Sequence, residues 1–185
     1  MQRDELNFEN NIVLCICEGN AETDIIDILL DNNMLIFTRD MLFEKRVLRR
    51  ESVDRIQDNY LSLDYGSKLP FILRIIDSKH EAFKLREPYK TMYKSRIYTF
   101  CTSPEIEMLI IYDKKDIKCF NKENMKPSVY CKANYGLRDI KKKGFMKEYF
   151  KNQDDLLEAI INYEKCSSRD KLSLYNLLNK EYRFD

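Results

Sequence analysis

Three carboxylates stand where the chain passes from apolar run to polar turn, and together they could do phosphoryl chemistry. They are Glu18, Asp77 and Glu107. Carboxylates gathered within a few ångströms repel one another unless a cation neutralises them. Mg²⁺ takes oxygen ligands and is usually held by one or two carboxylates plus phosphate and water. A convergent trio would therefore suit phosphodiester hydrolysis by metal-activated water, with Mg²⁺ or Mn²⁺ as cofactor. In that arrangement Glu18 transfers the proton while Asp77 and Glu107 hold the metal. Taken singly, each is also what a solvated strand-ending acid looks like. Glu81 and Glu105 are reserves close by in the chain, with Glu81 reading more simply as a solvated loop carboxylate; His80, between Asp77 and Glu81, suits acid–base work but reads more simply as an incidental loop histidine.

Convergence depends on three strands and a sheet that aligns them. The run Ile12 to Cys17 is long enough for a strand buried on both faces. It stops at Glu18-Gly19, and Ile25, Ile26, Leu29 and Leu30 follow at helical spacing. Asn20 can cap that helix, and Glu22 and Asp24 in its first turn suit the positive end of the helix dipole. Leu69 to Ile76 repeats the pattern, an apolar run ending in Asp77. Arg96 to Cys101 reads as a third strand, and Pro104 as the first residue of a helix carrying Glu107 in its first turn. If the strands are parallel neighbours, the three acids share the carboxyl edge, where open α/β sheets bind ligands.

Elsewhere the elements are shorter. Met34 to Phe37 is a short strand or a helix-to-loop connection, and Glu51 to Leu63 is a helix with Ser52 as its cap. Segments 116–121, 127–134, 144–150, 153–164 and 169–182 read as helices, the fourth capped by Gln153 or Asp154. The expected architecture is one α/β domain: a mostly parallel central sheet over residues 1–113, with a helical portion, residues 114–185, packed on the same domain.

Composition narrows the partners. Charged residues make up 34% of 185 but nearly cancel at net +1, so no global field points to nucleic acid or membrane. Nucleic-acid contact must come from local clusters. One is Arg138, Lys141, Lys142, Lys143, Lys147 and Lys151, interleaved with Phe145, Tyr149 and Phe150; the other is Lys45, Arg46, Arg49 and Arg50. Either is equally readable as a solvated face. The polar start, residues 1–5, reads as frayed, and no apolar run or leader points to a membrane. The six cysteines form no CxxC pair and read as reduced, mostly buried thiols of a cytoplasmic protein.

The segment VLCICEGNAETDIIDILL resembles the first motif of TOPRIM domains, in which a glutamate follows a hydrophobic strand and precedes glycine. The RloB-like and OLD-type branches found in bacterial anti-phage systems begin with a similar CEG segment. FILRIIDSKHE resembles the second TOPRIM motif, and TSPEIEMLIIYD resembles an RloB-like segment whose glutamate falls on Glu107. The resemblance covers residues 11–113. It implies a TOPRIM fold and Mg²⁺-dependent nuclease chemistry on DNA or RNA, tRNA among them, with Glu18, Asp77 and Glu107 in the site and a companion defence protein or sensor as partner. A homo-oligomer is compatible with it. One position departs from the pattern: the second motif usually reads Asp-x-Asp, and Lys79 stands where the second acid is expected. A cation there either replaces one metal, next to a nucleic-acid phosphate, or marks a non-catalytic module that binds a partner protein or nucleic acid. A small-substrate phosphotransferase is a third reading, but with four glycines there is no Gly-rich phosphate loop.

Overall fold

In the computed structural model, residues 6–66, 68–77, 82–166 and 171–184 are described. Lys79, His80 and Glu81, the polar start (residues 1–5) and Arg169 lie outside them. The centre is a four-stranded, all-parallel sheet in the order β2-β1-β3-β4. Its strands are β1 (Val13–Cys17), β2 (Leu48–Arg49), β3 (Phe71–Ile76) and β4 (Ile97–Cys101). An α/β fold with a parallel sheet and a helical C-terminal part is what the sequence led us to expect.

Period-two alternation sends successive side chains of each strand to opposite faces. Val13, Cys15, Cys17, Leu73, Ile75 and Phe100 face the larger core, beneath α1 (Asn20–Asp31). Leu14, Ile16 and Ile72 face a smaller core with Ile56, Tyr60 and Tyr93. Those partners come from α2 (Val53–Ile56), which Gln57–Leu61 continues in a wider π-type turn, and from the end of α3 (Tyr89–Met92). Ser52 caps α2, its hydroxyl accepting the Arg55 N–H at 3.3 Å. Both faces being covered explains why β1 and β3 read as continuous apolar runs.

The helical part follows as α4 (Met108–Asp113), α5 (Ile117–Phe120), α6 (Pro127–Tyr135), α7 (Phe145–Tyr149) and α8 (Gln153–Cys166). α8 and α6 lie against α4, and α7 lies against α1, so this part packs on the sheet's helices. Among the described residues no helix is long and apolar enough to cross a membrane. Of the cysteines, Cys15, Cys17 and Cys131 are buried, Cys119 and Cys166 are exposed, and all six are free thiols.

Several local expectations change. β2 was not anticipated as a strand; it falls within the basic cluster. Segment 169–182 is not one helix, because the chain runs extended at Ser173 and Leu178 and its described residues, from 171 on, make two 3-10 turns, Leu174–Leu177 and Lys180–Tyr182. Its backbone is used for tertiary pairing instead: Cys101 N–H bonds Leu172 O at 2.9 Å, and Ile36 N–H bonds Leu177 O at 2.9 Å. Leu35 in turn bridges Leu178, so Met34 to Phe37 is a docking segment rather than a strand. Pro104 does not open α4. Glu105 turns inward to other partners, and Glu107 stands at the N-cap. Asn152, not Gln153 or Asp154, caps α8, its side-chain oxygen accepting the Asp154 N–H at 3.2 Å.

Because Ile75 is fully buried in a central strand, truncating it leaves a cavity the rigid sheet cannot close. Ile75→Ala should cost about 3 kcal/mol in urea unfolding. A loss under about 1 kcal/mol would contradict the packing described.

Candidate active site

The parallel ladder runs one residue past the named strands at each junction. Glu18 N–H bonds Ile75 O at 3.0 Å, Arg50 N–H bonds Cys17 O at 2.8 Å, and Thr102 N–H bonds Ile76 O at 2.9 Å. The carboxyl edge therefore reads, across the sheet, Arg50, Glu18, Asp77, Thr102. Glu18 and Asp77 are side by side, and Glu18 Oε2 accepts the Asp77 N–H at 2.9 Å. That bond fixes the turn at the end of β3 and holds the two carboxyls together. Arg50 takes a left-handed backbone (φ 44°), uncommon for a residue with a side chain. It turns the chain at the end of β2, where Arg49 and Arg50 both line the cavity that opens at this edge.

That cavity, about 240 Å³, is also lined by Asn20, Glu22, Glu107 and Lys141. Glu22, expected in the first turn of α1 as a partner of its dipole, is there but is also buried. Gly19 makes room for it: a Cβ there would stand 2.8 Å from Glu22 Oε2, while the Gly19 backbone is ordinary extended chain (φ −139°). Gly19 itself is the N-cap of α1, with no side-chain cap, so Asn20 does not cap the helix. The Asn20 amide instead donates to Lys141 O at 3.0 Å, which fastens the α6–α7 loop to the start of α1. Asp24 likewise serves packing, accepting the Met146 N–H at 3.3 Å.

The electrostatics follow from crowding. Burial pushes the Glu22 carboxyl up to about 7, and the charges of Glu107, Glu18 and Asp77 push the same way. Asp77 is raised by burial and then by Glu18. Burial also raises Glu107, against the pull of Lys141. Glu105 behaves oppositely: burial would raise it, but the Ser128 N–H at 2.9 Å and the Lys141 ammonium at 3.2 Å outweigh that and hold it below the usual range. Lys141 Nζ lies 3.9 Å from Glu107 Oε1 as well. It is the cation seated on these acids: partial desolvation works against its charge, but Glu107 and Glu105 outweigh that and raise its pKa.

All three expected acids therefore border one edge, with Glu22 added. Among the described residues, no group of three His, Cys, Asp or Glu side chains is close enough around one point to hold a metal ion by itself. The donor chemistry still fits a hard cation, since Mg²⁺ needs only one or two protein carboxylates beside phosphate and water. Glu18 and Asp77 supply such a pair. Asn20 Oδ1, on a residue lining the same cavity, is a buried acceptor with no hydrogen-bond partner, which is the kind of atom a bound ion or its water would satisfy.

The lysines expected to track nucleic acid separate. Lys141 enters the cavity. Lys142 pairs with Asp139 at 2.9 Å and Lys147 with Asp27 at 2.8 Å, while Lys143 is exposed. Phe150 is buried and Tyr149 packs edge-on against it, so these aromatics belong to the core. In the second cluster Lys45 pairs with Asp40 and Arg46 with Glu44, which leaves Arg49 and Arg50 at the site. Glu22 was missed as a site residue because its burial comes from α1 docking on the sheet, not from its own neighbours in sequence.

No family model, no curated protein and no solved structure matches this chain.

Since the folded-state value of Glu22 lies above its ordinary 4.5, the native protein holds a proton there that the unfolded chain releases. The stability this contributes is full below about pH 4.5 and is lost as pH rises through about 7. Without divalent cations, Glu22→Gln should therefore be more stable than the parent at pH 8, by on the order of 3 kcal/mol. The gap should close as pH falls toward 4.5. A difference independent of pH, in thermal melts across this range, would contradict the assignment.

Proposed function

We propose that this protein is a metal-dependent nuclease of the TOPRIM type that hydrolyses phosphodiesters of DNA or RNA. The observation that carries the reading is the adjacency of Glu18 and Asp77 at the ends of neighbouring parallel strands, in a cavity that also collects Arg49, Arg50 and Lys141. Acids for a hard cation and bases for a phosphate are the two halves of a phosphoryl-transfer site.

In this reading Glu18 and Asp77 hold Mg²⁺ or Mn²⁺, and Glu107 and Glu22 complete the negative charge around it. When bound, the cation neutralises the acids and makes water a better nucleophile. Arg49, Arg50 and Lys141 bind and orient the scissile phosphate, the arginines with the fork geometry that suits its oxygens. Glu22, lining the same cavity, is the carboxyl that would exchange a proton with the attacking water or the leaving oxygen. The resemblance of the CEG and Pro-x-Ile-Glu segments to RloB-like proteins supports a setting in anti-phage defence, with a companion protein as sensor.

A second reading, a TOPRIM-like module without catalysis, is favoured by Lys141. Its ammonium already sits 3.2 Å from Glu105 and 3.9 Å from Glu107, where an external cation would otherwise be needed.

The test is cleavage of single-stranded DNA, duplex DNA and tRNA by the purified chain with Mg²⁺ or Mn²⁺. The nuclease reading expects cation-dependent cleavage that Glu18→Gln and Asp77→Asn each reduce at least about a hundredfold. Cleavage unchanged by both substitutions, or none on any substrate with either metal, would reject it and favour the binding module.

A further inference from the structure

The acidic cavity does not end at Asp77. Asp77 also lines a second cavity of about 490 Å³, walled by Pro104, Glu105, Phe120, Met125 and Lys126. Pro104 and Phe120 in turn line a third, of about 480 Å³, with Met108, Tyr112, Tyr163 and Lys171. The three thus adjoin along the carboxyl edge of the sheet, from the end of β2 to the end of β4, where Cys101 borders the third. Each section carries a cation beside its acids: Arg49, Arg50 and Lys141 in the first, Lys126 beside Asp77 and Glu105 in the second, Lys171 beside Glu164 in the third.

The third cavity differs from the first in kind. Its walls mix rings with polar groups: Phe120, half-buried and edge-on to Tyr130, and Tyr163, edge-on to the buried Tyr112, stand beside Ser103, Asn121 and Lys171. The Tyr163 hydroxyl donates to Ser103 O, which fixes that ring beside the end of β4. Among the described residues the one carboxylate there, Glu164, accepts the Ser173 hydroxyl at 2.6 Å. A recess with a half-exposed ring in its wall has room for a flat base, which stacks on side-chain rings whatever its identity. A base inside a duplex cannot enter such a recess without leaving its stack.

We propose that the third cavity seats one unpaired nucleobase of a nucleic-acid strand whose phosphates pass Lys171 and Lys126 on the way to Asp77, so that the substrate is single-stranded rather than duplex. The placement of the phosphate rests on the nuclease reading; the base site rests on the cavity itself. Phe120, shared by the second and third cavities, is the stacking residue.

The test uses the full chain in EDTA, so that binding is read apart from cleavage. Fluorescence anisotropy would compare a labelled ten-nucleotide single strand with the duplex of the same sequence, and a 2-aminopurine in the single strand would report stacking. The single strand should bind at least tenfold tighter than the duplex, with the 2-aminopurine quenched. Phe120→Leu should lose the quenching and roughly tenfold in single-strand affinity, and Phe120→Trp should retain both, with unchanged thermal midpoints. Equal binding of duplex and single strand, no single-strand binding, or indifference to Phe120→Leu would overturn the proposal. Single-strand binding that depends on Phe120, without cleavage of any substrate in Mg²⁺ or Mn²⁺, would uphold it and reject the nuclease reading. Mg²⁺-dependent cleavage of both forms, unaltered by Phe120→Leu, would do the reverse.

Discussion

The bond from the Asp77 N–H to Glu18 Oε2, 2.9 Å long, joins the ends of the two central strands, and the rest of the site is arranged around it. It exists because β1 and β3 pair in parallel with Cys17 opposite Ile75. A slip of one residue would send the strands' apolar residues to the wrong faces and separate the carboxyls. The large core that fixes this register also fixes the chemistry: the alternation that buries Cys15, Cys17 and Ile75 under α1 leaves Glu18 and Asp77 to emerge together.

Concentrating carboxylates there has an electrostatic cost, and the fold meets it in part. Lys141, steered in by Glu105 and tied to Asn20 through its own carbonyl, supplies one positive charge. Arg49 and Arg50 border the same space. Glu22 and Glu107 remain displaced toward the protonated form, so this balance leaves room for a further cation. That residual imbalance is the physical basis of the proposed metal dependence.

Much of this was legible in sequence, and the exceptions have local causes. Runs such as Val13 to Cys17 and Phe71 to Ile76 announce strands because both faces are buried, and the acids that end them mark the carboxyl edge. β2 could not be read, since two residues carry no periodicity and its flanks are arginines and lysines. The last segment was apolar enough for a helix, but its backbone groups are taken by Ile36 and Cys101, which only the folded chain brings near. Pro104 carries the usual signal for a helix start, yet Glu105 spends its carboxylate on Ser128 and Lys141, so the helix begins later. Glu22 read only as a dipole partner because nothing in its neighbourhood foretells that Gly19 leaves space for it.

The measurement that bears most directly on the site is calorimetric titration of Mn²⁺ or Mg²⁺ into the metal-free protein near pH 6.5, alongside Asp77→Asn. A cation completing the carboxylate cluster should bind with proton release, because the raised acids must ionise to receive it, and Asp77→Asn should abolish that binding while the fold is retained. No binding at millimolar metal, or binding indifferent to Asp77→Asn, would contradict a convergent acidic metal site.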